Sequence, residues 1–406
     1  SMSWIRIALL VLILLLNEYP ISIFVNDQEL DSFTISVSRL IISTLFILFI
    51  ISLIPALQNI LLIMISLILA YLILEIMNYI YKDSLYQAHE VPSVPFLTPY
   101  VDSNCNLYTT HTKNWHWAGY EFGQFYATLK RDDFKKIKVE VKTDNYGLRN
   151  SSQEVYDYPE NIIMGDSFAF GYHLDQKDHF VTALNNAGVK TLNIGVYGVS
   201  PSNQYILLKH LLDNNIVRLS STKVSLLFFG GNDFTDLSAY NIGSCRPYLF
   251  QFKLFVNDFY QYSIANRIRM ILFYNNRKNA NNWKTIDGKY FPPIYFDKLS
   301  YSQEKLVQLY DKNLLRFFND FNELLKIDSI SEVNIIYVPS RPEIVKNNNL
   351  QSVFLKQRLG DKRIKYYDLR NFSDLNIDDY HVDDTHLNAH GHNKLFNFFN
   401  NIIENK

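Results

Sequence analysis

The chain has 406 residues, more than a single domain usually holds, so it has room for a membrane segment and one α/β domain. Its 39 basic and 40 acidic side chains leave a formal net charge of −1, and this balance excludes a large electrostatic surface for nucleic acid. Aromatic residues make up 15% of the chain, and packing in the core is the simplest explanation for most of them.

The first eighty residues hold three apolar runs, at residues 4–16, 35–54 and 60–80. A membrane helix needs about 20 apolar residues, so the second and third runs qualify, whereas polar residues and Pro20 interrupt the first. A signal peptide is the alternative for the first run, but no small-residue cleavage site follows it. We therefore predict a transmembrane region of about three helices in residues 1–82, with membrane lipid as a partner.

Charged residues near these spans are sparse, so they indicate the topology only weakly. Arg6 fits the cytoplasmic end of the first span, while Arg39 fits less well. With the N-terminus inside, everything after Lys82 lies outside the cytoplasm, so we expect a multi-pass protein of the inner (cytoplasmic) membrane whose main domain faces the periplasm or the cell surface. Cys105 and Cys245 both follow the spans and could form a disulfide in an oxidising compartment, with two buried thiols as the alternative.

Residues 83–159 form the second predicted region, a linker and accessory segment that packs on the domain after it. Its early prolines suit an extended chain, and residues 137–141 alternate like a half-buried strand. Trp115, Trp117 and Tyr120 could lie at the lipid interface, line an entrance for substrate, or pack against the main domain.

From residue 161 onward, apolar strand candidates alternate with stretches of helical periodicity. The predicted strands are 161–164, 191–194, 224–229 and 333–338, and the predicted helices include 204–213 and 303–325. This alternation favours an α/β fold, a parallel sheet with helices on both faces, in which functional sites gather at the carboxyl ends of the strands.

The sequence carries four short motifs, three of which fall at or just after such a strand end. They are Gly165-Asp166-Ser167, the block 193–198 (Asn-Ile-Gly-Val-Tyr-Gly), the block 230–233 (Gly-Gly-Asn-Asp) and the block 383–386 (Asp-Asp-Thr-His). Together they offer a nucleophile, a base, a carboxylate to orient the base, and donors for an oxyanion. Their order and spacing resemble the sequence blocks of the SGNH (GDSL) hydrolase superfamily over roughly residues 160–400. The segment 145–149 also resembles one that often precedes the nucleophile block in bacterial members.

The resemblance implies a flavodoxin-like, three-layer SGNH-hydrolase domain at residues 160–406, preceded by the transmembrane helices. It implies Ser167 as nucleophile, His386 as base and Asp383, three residues before the histidine, as the group that orients it. The implied oxyanion hole comprises the Ser167 N–H, the Gly198 N–H and the Asn232 amide. Without the resemblance, an N-cap serine, a tight turn and an Asx turn would explain Ser167, Gly198 and Asn232 separately.

No cofactor and no metal are expected. His386 and His390 are four residues apart, a spacing that zinc sites use on a helix, but the tail 387–392 resembles the one that follows the catalytic histidine of the family. An insertion at about 240–300 is rich in aromatic residues, and it could form a lid or acyl-binding wall or simply pack on the body or the membrane. Arg341 follows a predicted strand and could face the cleft without being catalytic.

The expected function is that of a membrane-anchored serine esterase or deacylase, with a small-molecule, glycan or lipid ester as substrate. An O-acylated envelope glycan or lipid is the leading substrate class, and the acyl group would pass through an ester on Ser167. An O-acyltransferase using the same residues is the first alternative, because pocket shape and water access choose the acceptor. A catalytically inactive membrane-anchored binding or assembly protein is the second. The sequence identifies no protein partner.

Overall fold

The computed structural model of the chain describes residues 58–80, 97–101, 107–121, 123, 134–239, 284–286, 289–291, 299–360 and 363–404. The chain divides into two compact units, one of residues 1–86 and 248–271 and the other of residues 87–247 and 272–406. The first two apolar runs, both cysteines and most of the 240–300 insertion lie outside the described residues.

In the first unit the structure describes one helix, α1 (Gln58–Ile80), over the third apolar run. None of the helices that the structure describes has the length and apolarity that a membrane span requires. The transmembrane arrangement therefore stays a prediction from the sequence.

The second unit is built on a parallel sheet of five strands. In chain order these are β5 (Asn161–Met164), β6 (Thr191–Asn193), β7 (Thr222–Phe229), β10 (Ile330–Val338) and β11 (Lys365–Asp368). Their spatial order is β11-β10-β7-β5-β6, which is the flavodoxin-like order 2-1-3-4-5 when the five are counted alone. The predicted parallel α/β sheet is confirmed, and all four predicted strands are present.

Helices of the second unit connect these strands. They are α2 (Ser167–Phe170), α3 (Phe180–Asn186), α4 (Pro201–Asp213), α5 (Asp233–Ala239), α6 (Gln303–Asn322), α7 (Arg341–Val345), α8 (Leu350–Leu359), α9 (Leu369–Phe372) and α10 (Ala389–Glu404). Helix α6 begins where Ser302 accepts a hydrogen bond from the Lys305 N–H, and a 3₁₀ turn (Glu323–Lys326) continues it.

Two apolar clusters cover the two faces of the sheet. Ile162 and Met164 of β5 belong to the cluster that includes α4, α6 and α8, whereas Ile163, between them, belongs to the cluster that includes α3 and α10. Alternate residues of a strand point to opposite faces, so an almost continuously apolar strand must be covered on both. The result is a helix–sheet–helix sandwich of three layers.

Antiparallel hairpins precede and interrupt this sandwich. β1 (Leu97–Val101) pairs with β2 (Leu107–His111), β3 (His116–Glu121) with β4 (Ile137–Lys142), and β8 (Lys284–Ile286) with β9 (Lys289–Phe291). The strand predicted at 137–141 is thus β4. Trp115 and Trp117 pack with Val139, Val141 and Phe170, while Tyr120 is exposed.

Candidate active site

The serine predicted as nucleophile lies at the carboxyl end of β5, where the chain turns sharply into α2. Gly165 makes this turn with φ +147°, and a side chain there would meet the Leu227 carbonyl oxygen at 3.0 Å. Asp166 then caps the short helix by accepting a hydrogen bond from the Phe168 N–H at 3.0 Å. Ser167 is therefore the first residue of α2, and it sits at the strand end where this fold places its sites.

His386 bridges the serine and a carboxylate. Its Nε2 lies 2.7 Å from the Ser167 Oγ, and its Nδ1 lies 2.5 Å from Oδ1 of Asp384. An ionised carboxylate can only accept, so Nδ1 carries the proton and Nε2 is left to accept the proton of the serine hydroxyl. This is the proton arrangement that a serine nucleophile and its general base require.

The carboxylate that orients His386 is Asp384, and the prediction of Asp383 is wrong in this structure. Asp383 turns the other way, because its Oδ2 accepts the Gly123 N–H at 2.8 Å and its Oδ1 lies 4.0 Å from Nε2 of His173. The Oδ1 of Asp384 accepts the backbone N–H of His386 at 3.2 Å as well as the imidazole proton. The loop thus points two consecutive carboxylates toward different partners.

Two aromatic rings and one cation hold this arrangement. The rings of Phe168 and Tyr172 lie 5.0 and 4.8 Å from the imidazole of His386. Arg341, which is buried, donates from Nη1 to the backbone carbonyl of Asp384 at 2.7 Å. Burial lowers the pKa of Arg341 to about 10, with the nearby charge of Asp384 opposing that shift. Arg341 therefore reaches the site through the backbone of the loop, and that it faces the cleft stays a prediction.

The structure places Asn232 beside the nucleophile turn. Its Nδ2 donates to Oδ2 of Asp166 at 3.2 Å and to Oδ2 of Asp236 at 2.6 Å. A side-chain amide has two N–H groups, so it can serve an oxyanion by exchanging one of these carboxylate partners. Burial raises the pKa of Asp166, while the Phe168 N–H, the charge of His386 and the Asn232 amide act in the opposite direction.

Gly198 lies in the turn after β6, with φ +73°. The ring of its neighbour Tyr197 is 5.1 Å from the ring of Tyr172, which in turn contacts His386. The predicted oxyanion roles of the Ser167 N–H, Gly198 and Asn232 stay predictions.

Arg149 is a structural residue of the site whose role the sequence did not reveal. Its buried guanidinium donates to the carbonyls of Phe170 (3.1 Å), Gly171 (2.6 Å) and Leu174 (2.8 Å), which follow the nucleophile. Burial lowers the pKa of Arg149 to about 9. The signal was present in the segment 145–149, but a motif alone does not say which carbonyls an arginine reaches.

His386 and His390 do not form the zinc pair that their spacing would allow. His386 precedes α10 and bonds Ser167, whereas His390 lies in the helix and places its Nδ1 2.5 Å from Oδ1 of Asp379. Among the described residues, the group that could hold a metal ion is His173, His381 and Asp383.

Comparison with known proteins finds no matching family model and no matching curated protein. Among solved structures, the chain is similar to the psychrotrophic esterase EstA from Pseudoalteromonas sp. (10% identity, TM-score 0.33, covering 61% of this chain and 97% of that one). It is also similar to TesA (12%, 0.32, 59% and 94%) and to a GDSL-like lipase from Bacteroides thetaiotaomicron (11%, 0.31, 64% and 93%). These identities and scores are too low to carry a function to this chain.

Proposed function

We propose that the chain is a serine hydrolase that cleaves ester bonds through an acyl-enzyme on Ser167. The observation that carries this proposal is the continuous contact from the Ser167 Oγ through His386 to Asp384, at 2.7 and 2.5 Å. An isolated N-cap serine needs no imidazole, and a structural histidine needs no serine hydroxyl on one nitrogen and a buried carboxylate on the other. The two contacts of His386 together are those that activate a serine as a nucleophile.

The reaction follows from the positions of the protons. Nε2 of His386 takes the hydroxyl proton as the Ser167 oxygen attacks the ester carbonyl carbon, and Asp384 stabilises the imidazolium that forms. The imidazolium then gives that proton to the leaving alcohol as the carbon–oxygen bond to it breaks. A water molecule attacks the acyl-enzyme by the same route, which releases the acid and restores the serine.

The negative oxygen of the tetrahedral intermediate needs donors fixed near Ser167. We propose the Ser167 N–H, the Gly198 N–H and the Asn232 amide for this role. Asn232 is supported by its contact with Asp166, the residue next to the nucleophile. The amide also donates to Asp236. To bind the oxyanion, it would give up one of its two carboxylate acceptors, so this exchange is favourable only when negative charge develops on the substrate oxygen.

We also propose that the chain is anchored in a membrane and that its substrate is an acylated glycan or lipid of the envelope. The apolar runs of the first eighty residues support attachment to a membrane, and α1 exposes Ile63, Leu67 and Leu69, whose cover we propose to be lipid. A main domain outside the cytoplasm would meet acylated glycans or lipids of the envelope. A sugar hydroxyl that replaced water at the acyl-enzyme would make the protein an O-acyltransferase with the same residues.

A fluorophosphonate probe tests the proposal, because it labels a serine only where a base activates it. We expect the wild-type chain to be labelled, Ser167→Ala to remain unlabelled, and Ser302→Ala, which removes an exposed N-cap serine, to be labelled like wild type. Hydrolysis of a chromogenic acyl ester should follow the same pattern. Equal labelling of wild type and Ser167→Ala, or labelling of neither, would contradict the proposal, and the second result would favour the inactive assembly protein. Acylated sugar detected by mass would indicate transfer.

A further inference from the structure

A second polar cluster lies behind the catalytic residues, where three separate segments of the chain meet. His173 follows the nucleophile helix, Glu121 ends β3, and His381 and Asp383 precede His386 on its loop. The Nδ1 of His173 lies 2.9 Å from Oε1 of Glu121, and its ring centroid lies 4.6 Å from that of His381. One ligand atom from each of His173, His381 and Asp383 lies within 4.8 Å of the other two.

Two nitrogens in this cluster are buried with no hydrogen-bond partner among the described residues. They are Nε2 of His173 and Nε2 of His381. The side chain of His173 is completely buried, and its Nε2 faces Oδ1 of Asp383 at 4.0 Å, beyond hydrogen-bond distance. Buried polar atoms are nearly always satisfied, so two bare nitrogens near one carboxylate point to something that all three groups share.

The outer contacts match the requirements of a metal ligand. The Glu121 carboxylate can only accept, so it fixes the proton of His173 on Nδ1 and can leave the Nε2 lone pair directed at the cluster. Histidines that bind metals usually donate their second N–H to a carboxylate in this way. Asp383 is oriented as well, because its Oδ2 accepts the Gly123 N–H at 2.8 Å while Oδ1 faces His173.

We propose that His173, His381 and Asp383 bind one divalent zinc ion, with Glu121 as the outer carboxylate that orients His173. Two imidazole nitrogens, one carboxylate oxygen and a solvent molecule make a four-coordinate set that zinc accepts. Ligand atoms around tetrahedral zinc lie roughly 3.4 Å apart, so side-chain movements of about 1 Å would bring the three ligand atoms to that spacing. The sequence predicted no metal, because Glu121 and His173 are brought to the loop only by folding.

The position of the ion suggests what it does. Asp383 precedes Asp384, and His381 lies five residues before His386, so an ion bound to His173 would tie the base and its carboxylate to the segment that follows Ser167. It would position the catalytic loop without touching substrate. Metal binding itself does not depend on the proposed hydrolase activity, and Ser167→Ala should bind zinc like wild type.

Zinc binding can be measured directly on the full-length chain, purified without a histidine tag and stripped with a chelator. In competition with a chromophoric chelator, we expect one equivalent of Zn²⁺ for wild type and loss of that equivalent for His381→Ala. Glu121→Gln should weaken binding about 10- to 100-fold, because the outer carboxylate is lost and the ligands remain. His116→Gln, at an exposed histidine, should bind like wild type. Zinc should also raise the melting temperature of wild type by about 5 °C at 100 times Kd.

Cobalt gives a spectroscopic test that does not depend on losing the fold. Co²⁺ bound to His381→Cys should show a thiolate-to-metal absorption band that wild type lacks, because the new sulfur would be a ligand. Absence of a stoichiometric zinc ion in wild type would overturn the proposal, and a protonated His173 between Glu121 and Asp383 would then explain the cluster. Unchanged zinc affinity in His381→Ala, or no new band with the cysteine, would overturn it too. Metal binding with no phosphonate labelling would reject the hydrolase and keep the zinc site.

Discussion

Exchanging each of the two neighbouring aspartates for asparagine separates the carboxylate that serves His386 from the one that does not. Asp384→Asn keeps the shape of the side chain and an oxygen that can still accept from Nδ1 of His386, which lies 2.5 Å from Oδ1 in the wild type. What it removes is the negative charge beside the imidazolium. Asp383→Asn is the matched control, because its contacts are with Gly123 and His173.

The expected size of the effect comes from the charge that is lost. Two unit charges about 4 Å apart interact by about 4 kcal/mol at an effective dielectric constant of 20. Each 1.36 kcal/mol changes the rate about tenfold, so Asp384→Asn should lower kcat by about 10³-fold. Asp383→Asn should cost about tenfold or less, since it acts on His386 only through the backbone of the loop.

The assay is hydrolysis of a chromogenic acyl ester. The concentration of active sites is counted from the endpoint of phosphonate labelling, not from its rate, so that misfolded protein does not enter kcat. Both variants should be measured with added zinc and again after chelation, because Asp383 also belongs to the proposed metal site. A larger loss of kcat in Asp383→Asn than in Asp384→Asn would refute the assignment of Asp384. Equal losses that persist with zinc would refute it as well.

Three further predictions concern stability and are read from urea unfolding. Arg149→Lys should lower the free energy of unfolding by about 3 kcal/mol, because one ammonium group cannot reach the three carbonyls that the guanidinium satisfies, and a loss below 1 kcal/mol would contradict this. Burial lowers the pKa of His179 and His392 well below 6.5, so the folded protein keeps both rings neutral. Their contribution to the free energy of unfolding is therefore complete above pH 6.5 and is lost as the pH falls below it. Between about pH 7 and pH 5.5 the contribution of these two histidines to the free energy of unfolding should fall by about 2.5 kcal/mol, and His392→Asn should remove half of that change. Gly171→Ala should cost more than about 3 kcal/mol, because its Cβ would meet the His179 ring at 2.3 Å, whereas Gly188→Ala, with φ +86° but nothing within 4 Å, should cost about 1 kcal/mol.

The interior strands were predictable because their burial leaves a trace in the sequence. β7 and β10 are covered on both faces and therefore read as continuous apolar runs. β11 was missed for the opposite reason. It is an edge strand of sequence Lys-Tyr-Tyr-Asp whose first three residues are not buried, so neither an apolar run nor a clear alternation marks it.

The site shows a sharper limit of the sequence. Ser167 and His386 lie in motifs whose spacing indicates their roles, and the structure joins them although they are 219 residues apart. The choice between Asp383 and Asp384 depends on backbone dihedrals of a loop and on which neighbours those dihedrals meet. No periodicity encodes that choice, and the contact of Glu121 with His173 across 52 residues is equally invisible before folding.

The catalytic loops are therefore completed by residues that precede the first strand of the sheet. Glu121 meets His173, Gly123 meets Asp383, and Arg149 meets the carbonyls that follow the nucleophile. A chain that began at residue 160 would lack those partners, and each group that stayed buried without one would cost about 1–3 kcal/mol. Such losses approach the whole stability of a typical domain, about 5–15 kcal/mol. All five strands of the sheet lie after residue 160, but the geometry of Ser167, His386 and Asp384 depends on the segment before it.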